Sequence, residues 1–168
     1  GVDAFLYTAG AAAHVGIQWD ADGNTEGTLI GGADDHGVDF KFFGETSGKY
    51  VQCAMLLSHP NKAKIICESL PSKIKSNFNN IDLILAPALG GVVVGYEIGR
   101  QLGIRTIFAE RVNGNFELRR GFEIKQGQKI LIVEDVITTG KSSLECSSLG
   151  TKVGAEILGY ACLIDRSN

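Results

Sequence analysis

The chain has 168 residues, of which 44% are hydrophobic, and its net charge is −3. That is enough for one domain with a hydrophobic core and too little for two full-sized domains. A near-neutral total charge excludes a globally basic nucleic-acid binder, and no apolar run reaches the ~18 residues that a membrane-spanning helix needs. We therefore expect neither a nucleic-acid nor a membrane partner.

Charge and glycine are unevenly distributed along the chain. Residues 1–48 carry eight acids against the single base Lys41, a net charge of −7, and hold ten of the 22 glycines. Residues 49–168 hold fifteen Lys and Arg against eleven acids, a net charge of +4. We predict a β-rich N-terminal segment at 1–48 and a core carrying the function at 49–168.

The cysteines and histidines do not form a metal or disulfide pattern. The four cysteines lie 14 or more positions apart without a CxxC pair, and the three histidines are scattered. Reduced thiols in a cytoplasmic protein are therefore expected. No Lys or Arg precedes the apolar residues 1–13, so we expect no secretory signal.

The first elements in chain order are short predicted strands. Gly- and Asp-rich breakers separate apolar runs at ~10-residue spacing, which predicts a small antiparallel unit. These runs lie at 14–19, 28–30, 38–43 and 50–51. A helix is then predicted from an N-cap at Ser58 to about Phe78, with Pro71 kinking or splitting it.

From residue 81 onward, apolar strand patterns alternate with helix patterns. Helices are predicted at 90–102 and 140–153, a hairpin partner at 116–124, and strands at 81–86, 104–109, 129–133 and 157–164. This alternation predicts an α/β fold with a parallel sheet. In such folds, ligands bind at the carboxyl ends of the strands.

One stretch carries recognisable chemistry. The predicted strand 129–133 leads into the adjacent carboxylates Glu134 and Asp135, and a Thr-Thr-Gly-Lys-Ser turn at 138–142 then opens a helix. Backbone N–H groups at such a turn bind phosphate, and the carboxylates can accept hydrogen bonds from vicinal sugar hydroxyls or hold hydrated Mg²⁺. The pattern indicates a sugar phosphate as ligand.

Two other interpretations of this stretch stay open. The Gly140-Lys141-Ser142 run looks like the end of a nucleotide-binding P-loop, but Asp135 stands where that motif needs its first glycine. Alternatively, the turn is only a helix N-terminus capped by hydroxyl residues, with the two acids exposed.

Residues 133–140 (VEDVITTG) resemble the signature with which type I phosphoribosyltransferases bind phosphoribosyl diphosphate (PRPP). Four further segments narrow the resemblance to bacterial orotate phosphoribosyltransferases: APALGG at 86–91, FAER at 108–111, LRRGFEI at 118–124 and LIDRS at 163–167. The resemblance runs from about residue 50 to 168 and implies a type I phosphoribosyltransferase core. The implied reaction converts orotate and PRPP to orotidine 5′-monophosphate and pyrophosphate, with Mg²⁺, in a homodimer.

The resemblance also implies roles for individual residues. Glu134 and Asp135 hold the ribose hydroxyls as the catalytic pair, and Asp135 is the metal residue. Thr138 contacts both PRPP and orotate, and Arg166 pairs with the orotate carboxylate. The other PRPP-binding residues of this stretch are Val136, Ile137, Thr139, Gly140, Lys141 and Ser142.

Two further PRPP contacts follow from the resemblance. Ala88, Leu89 and Gly90 form the pyrophosphate loop, although many relatives have a Lys where this chain has Gly90. Arg111 begins the mobile catalytic loop, which in relatives reaches into the partner subunit's site but is short here. Arg119 and Arg120 are candidates for pyrophosphate binding, since Arg clamps suit diphosphates.

The front of the chain resembles a different kind of protein. Residues 14–20 and 37–51 are similar to segments of tailed-phage structural proteins, so we expect a chimera or an artificial join near residues 48–52. Relatives usually continue beyond the position of Asn168, which together with this front predicts impaired activity. Another PRPP-binding transferase or regulatory module, and a phage-like assembly protein, are the alternative functions.

Overall fold

The structure is a computed structural model that describes residues 53–165 without interruption and five short strands before them. The ten strands described are β1 Phe5–Thr8, β2 Gly16–Ile17, β3 Leu29–Ile30, β4 Lys41–Phe42, β5 Glu45–Thr46, β6 Leu83–Pro87, β7 Thr106–Val112, β8 Asn115–Leu118, β9 Lys129–Ile137 and β10 Glu156–Asp165. The helices described are α1 Cys53–Leu57, α2 Pro60–Cys67, α3 Ser69–Asn77, α4 Gly90–Leu102 and α5 Lys141–Thr151.

A six-stranded sheet forms the centre of the fold. Its order is β1-β10-β9-β6-β7-β8, with β10, β9, β6 and β7 parallel to one another and an antiparallel strand at each edge. The predicted α/β class with a parallel sheet is confirmed.

The central strands are apolar because helices cover both faces of the sheet. Every residue of β6 is buried, as expected for a parallel strand enclosed on two sides. On one face, Ile84 and Leu131 pack with α4 and with α1 to α3. On the other face, Leu85 and Ile132 pack with Cys146 of α5.

The strand order reverses between β6 and β9. The chain leaves β6 through α4 to reach β7 on one side, and it leaves β9 through α5 to reach β10 on the other. A crevice forms at the carboxyl edge of a sheet where successive connections diverge in this way. The N-termini of α4 and α5 therefore flank one crevice, from opposite faces of the sheet.

The single helix predicted from Ser58 to Phe78 is wrong in its bounds. Helix α1 already lies before Ser58, and α2 begins with Pro60 as its first residue, after His59 rather than Ser58. The break between α2 and α3 falls at Glu68, and Pro71 lies in the first turn of α3. Proline is tolerated there because first-turn N–H groups have no partner within the helix.

Helix α4 matches its predicted bounds, and Gly103 ends it in the left-handed conformation, with φ 70°. Two strands are longer than predicted, since β7 continues past residue 109 and β9 continues through the acid pair to Ile137. Both extensions pair with a neighbouring strand, which the local apolar pattern did not reveal.

Part of the front segment joins the core sheet. Strand β1, which the sequence did not predict, pairs antiparallel with β10 through registers such as Phe5 with Cys162. Strands β2 with β3, and β4 with β5, form antiparallel pairs within the predicted β-rich region. The predicted strand at 50–51 and the proposed join at 48–52 lie outside the described residues. The domain boundary at residue 48 stays a prediction.

Within the described part of the chain, no helix is both long and apolar enough to cross a membrane. The four cysteines lie within the described residues, where all are buried and no disulfide joins them. Burial raises the pKa of the thiols of Cys53, Cys67 and Cys146 to about 12, because the thiolate loses its hydration inside the protein.

We predict that the native protein does not react with Ellman's reagent at pH 8, because all four thiols are buried and those of Cys53, Cys67 and Cys146 are protonated at this pH. Unfolding in guanidinium chloride should make all four thiols accessible to the reagent. The absorbance of the aryl thiolate that the reagent releases counts the reactive thiols in the native and in the unfolded protein. Rapid labelling of two or more thiols in the native protein would contradict the burial of these cysteines.

Candidate functional site

The predicted site segments meet at the carboxyl ends of three neighbouring strands. The loop 88–90 follows β6, Arg111 lies near the end of β7, and the turn 138–140 follows β9. Both α4 and α5 begin here without a side-chain cap, so first-turn N–H groups of both helices face the crevice region. A crevice with two such helix N-termini favours an anionic ligand.

The acid pair lies inside β9 rather than at its tip. Neighbouring side chains of a strand point to opposite faces, so the two carboxylates diverge. Glu134 contacts Ser143 of α5 on one face, and Asp135 lies against Gly90 of α4 on the other. The two acids therefore connect β9 to the starts of both helices that flank the crevice.

Glu134 is a half-buried carboxylate with a hydroxyl partner. Burial raises its pKa above the ordinary value, and the Ser143 hydroxyl, which donates to Glu134 Oε2, opposes that rise. The negative charge of Asp135 raises the pKa further, and the Arg111 guanidinium lowers it. The carboxylate thus has both a fixed orientation and a cation near it.

Asp135 approaches the backbone of α4 closely. A Cβ built on Gly90 would lie 2.5 Å from Asp135 Oδ1, so only glycine leaves this carboxylate where it is. Burial raises the pKa of Asp135, while backbone N–H groups of Val136 and Asp135 lower it. In the predicted pyrophosphate loop, position 90 therefore carries glycine beside a carboxylate that a side chain at this position would displace.

The turn 138–142, which we predict to bind phosphate, places hydroxyl side chains at the N-terminus of α5. Thr138 and Thr139 are exposed, and Gly140 takes the left-handed conformation with φ 69° before α5 begins at Lys141. The Lys141 N–H donates to Thr139 Oγ1 at 3.4 Å. Ser142 is half-buried in the first turn of α5. Hydroxyl and backbone donors are thus gathered at one helix N-terminus.

The side chain of Arg111 is fixed by contacts with residues of the same chain. Its guanidinium donates to the Gly114 carbonyl at 2.7 Å and to Glu145 Oε2 at 2.6 Å, and it stacks over the Phe116 ring at 4.2 Å. The loop after it is a two-residue hairpin turn in which Asn113 and Gly114 both have positive φ. A turn this tight leaves no long mobile loop between β7 and β8.

Some predicted site residues lie elsewhere. Val136 packs against the core, and Ile137 is buried beside Cys162, so neither side chain faces the turn 138–142. Arg120 makes two hydrogen bonds to Glu110, at 2.8 and 3.0 Å, and is thereby tied to β7. Arg166 lies outside the described residues.

Sequence reasoning missed two residues of the site. Ser143 is 2% exposed, and its hydroxyl contacts Glu134. Glu145 contacts both Arg111 and, at 3.8 Å, Lys141. Both residues lie in the first turns of α5, directly after the predicted turn 138–142, and this position is the sequence signal that could have found them. In the structure their side chains face β9 and β7.

The fit of a divalent metal can be judged from the carboxylates. In residues 53–165, no cluster of three or more His, Cys, Asp and Glu side chains could hold a metal ion. Asp135 borders the α4 side of the crevice. Such a donor suits Mg²⁺, which keeps several waters and binds through one or two carboxylates together with substrate phosphates.

We predict that Asp135→Asn raises the melting temperature at pH 7.5 by roughly 2–4 °C. The pKa of this carboxyl is raised by burial, so its stabilising contribution is present at low pH and is lost as pH rises through the folded-state pKa. The increase in melting temperature should become smaller toward pH 4. Thermal unfolding in EDTA measures the change in melting temperature, with the exposed Glu123→Gln as control; destabilisation at pH 7.5 would contradict the burial cost.

A family model and several proteins match this chain. The model described as "Phosphoribosyl transferase domain" matches residues 52–168. An orotate phosphoribosyltransferase of Chlorobium phaeobacteroides (strain DSM 266) is 46% identical over 127 residues, and one of Caldicellulosiruptor bescii is 47% identical over 124. In both cases the match covers 74% of this chain and 64% of the relative.

Solved structures share the fold. The orotate phosphoribosyltransferase of Aeropyrum pernix aligns with a TM-score of 0.59 at 12% identity, over 73% of this chain and 81% of that one. A phosphoribosyltransferase of Corynebacterium diphtheriae aligns with a TM-score of 0.58 at 26% identity, over 69% of each chain. The crevice, the acid pair and these matches agree: the chain belongs to the phosphoribosyltransferase domain family.

Proposed function

We propose that the protein transfers the phosphoribosyl group of PRPP to orotate, giving orotidine 5′-monophosphate and pyrophosphate. The observation that carries the proposal is the acid pair of β9 next to the turn 138–142, flanked by two helix N-termini. The similarity to orotate phosphoribosyltransferases supports orotate as the acceptor. The chain spans 64% of the length of these relatives, so their whole activity is inferred for it.

In this proposal the 5′-phosphate lies in the turn 138–142. It accepts hydrogen bonds from backbone N–H groups and from the hydroxyls of Thr138, Thr139 and Ser142. Lys141 adds a positive charge at the same end of α5. The phosphate charge is stabilised there by the helix N-terminus.

The acid pair holds the ribose. Glu134 and Asp135 accept hydrogen bonds from the ribose hydroxyls, and Asp135 steadies positive charge that develops on the ring as the bond to pyrophosphate breaks. Such a transfer depends on positioning and charge more than on proton transfer. It therefore needs no His or Cys nucleophile.

The leaving pyrophosphate lies along the loop 88–90, where N–H groups at the start of α4 donate to it. Asp135 would hold Mg²⁺ through its waters, and the metal would neutralise charge on the diphosphate. Arg111 adds a cation from β7, on condition that it leaves Glu145. Arg166 is our candidate for the orotate carboxylate.

Calorimetry with PRPP and Mg²⁺, followed by the loss of orotate absorbance, tests the function. We expect PRPP binding and orotate turnover by the unsubstituted protein, and turnover lowered on the order of 10²-fold in Asp135→Asn. Asp82→Asn is the matched control and should leave turnover unchanged.

The outcomes separate the alternatives. Absence of PRPP binding in the unsubstituted protein rejects phosphoribosyl transfer. PRPP binding with turnover of adenine instead of orotate retains the chemistry and rejects the acceptor. PRPP binding without turnover of any base favours a regulatory module.

We further propose a cytoplasmic homodimer. The four buried, unbridged thiols are typical of a reducing compartment. Three large apolar side chains lie at helical spacing along the start of α4 with much of their surface exposed: Leu89 at 87%, Val93 at 47% and Tyr96 at 65%. Such a stripe suits a second copy of the chain, because contiguous exposed apolar surface marks association.

We predict that Tyr96→Asp weakens the dimer at least roughly tenfold in Kd, since a buried unpaired charge opposes association. Sedimentation velocity across a concentration series measures the effect. Val153→Asp, at a residue exposed to 45% just after α5, is the matched control and should leave the dimer unchanged. Equal behaviour of the two variants would reject the α4 stripe as the interface.

A further inference from the structure

We propose that Ser143 is a positioning residue for PRPP, whose buried hydroxyl holds Glu134 against the first turn of α5 and so sets the distance between the ribose-binding acids and the phosphate cradle. This inference rests on the proposed function. The sequence motif ends at Ser142, so Ser143 lies one residue beyond the predicted cradle.

The contact joins two elements that bind different parts of the substrate. Glu134 belongs to β9 and would hold ribose hydroxyls, whereas the turn 138–142 would hold the 5′-phosphate. Ser143 is the third residue of α5, and its hydroxyl donates to Glu134 Oε2 across nine residues of chain. A rigid link between the two subsites reduces the conformational freedom that substrate binding would otherwise have to remove.

Burial makes this link strong. Ser143 is 2% exposed and Glu134 is half-buried, so water competes poorly for either group. A hydrogen bond from a hydroxyl to a carboxylate is stronger than one between neutral groups. With one oxygen occupied by Ser143, the other oxygen of Glu134 is the one left to accept a hydrogen bond from ribose.

Among the described residues, Ser143 donates the side-chain hydrogen bond to Glu134, and the neighbouring charged groups act on this carboxylate through charge. Asp135 on the same strand repels it, Arg111 of β7 acts on it through charge, and the thiol of Cys146 lies nearby on α5. The guanidinium of Arg111 is itself hydrogen-bonded to Glu145 and Gly114. Among the described residues, the orientation of Glu134 therefore depends on Ser143.

Ser147 provides a matched control. It lies one turn further along α5, is 7% exposed and donates to the Leu144 carbonyl at 2.8 Å, while Tyr160 donates to it at 3.2 Å. Its substitution removes a buried hydroxyl from the same helix without touching Glu134. It therefore reports the effect of a purely structural loss.

Steady-state kinetics provide the first test. We expect Ser143→Ala to raise the KM for PRPP about tenfold, with the KM for orotate changed less than about twofold, and Ser143→Thr to restore most of the loss by returning the hydroxyl. Ser147→Ala should leave both KM values unchanged. In a Glu134→Gln background, Ser143→Ala should add much less than its effect alone, because the partner carboxylate is already gone.

Calorimetry with two simple probes provides the second test. Ribose 5-phosphate uses both subsites, and inorganic phosphate uses the cradle alone. Ser143→Ala should weaken binding of ribose 5-phosphate about tenfold and leave that of phosphate unchanged.

The results separate this inference from the proposed function. If the unsubstituted protein neither binds nor turns over PRPP, the proposed function fails and the positioning role fails with it. If the unsubstituted protein is active and Ser143→Ala behaves like Ser147→Ala, only the positioning role is overturned. A parallel loss of phosphate and ribose 5-phosphate binding would also overturn it, because the cradle itself would then be damaged.

Discussion

The parallel pairing of β6 with β9 is the constraint on which the site depends. In that register Leu85 lies beside Ile132, and the next residues along the two strands bring the start of α4 against the acid pair. Gly90 and Gly91 tolerate this approach because a Cβ on either would lie within 3 Å of Asp135 or of the Val133 carbonyl. The sheet core thus sets how near the loop 88–90 comes to the acid pair.

Burial and charge oppose each other at this edge. The apolar core that aligns the strands also removes water from Glu134 and Asp135, so folding favours their neutral forms. In the function proposed above, a ligand with hydroxyl groups and a bound cation would relieve that cost, whereas the free protein bears it. Sites that trade stability for ligand binding in this way are common in enzymes.

Local sequence patterns predicted the strands and helices whose burial is uniform. They missed the segments that become strands only by pairing with another strand. The apolar run around β6 and the glycine stop of α4 follow from local sequence, since burial on two faces and the left-handed cap are local requirements. The continuation of β9 past its acids and the edge strand β1 depend on β10, a partner distant in the chain. The break at Glu68, by contrast, is the split that Pro71 predicts, since this proline lies in the first turn of α3 and cannot continue α2.

The sequence by itself determined the α/β class and the family resemblance, and it predicted the stretch 133–142 as the ligand-binding segment, because these depend on residue types at fixed spacing. Only the tertiary structure decided that Glu134 and Asp135 face opposite sides of β9, that Asp135 requires glycine at position 90, and that Arg111 pairs with Glu145. It also brought Ser143 to Glu134. These contacts join residues from different elements, and strand register and helix packing, which no local pattern encodes, set their distances.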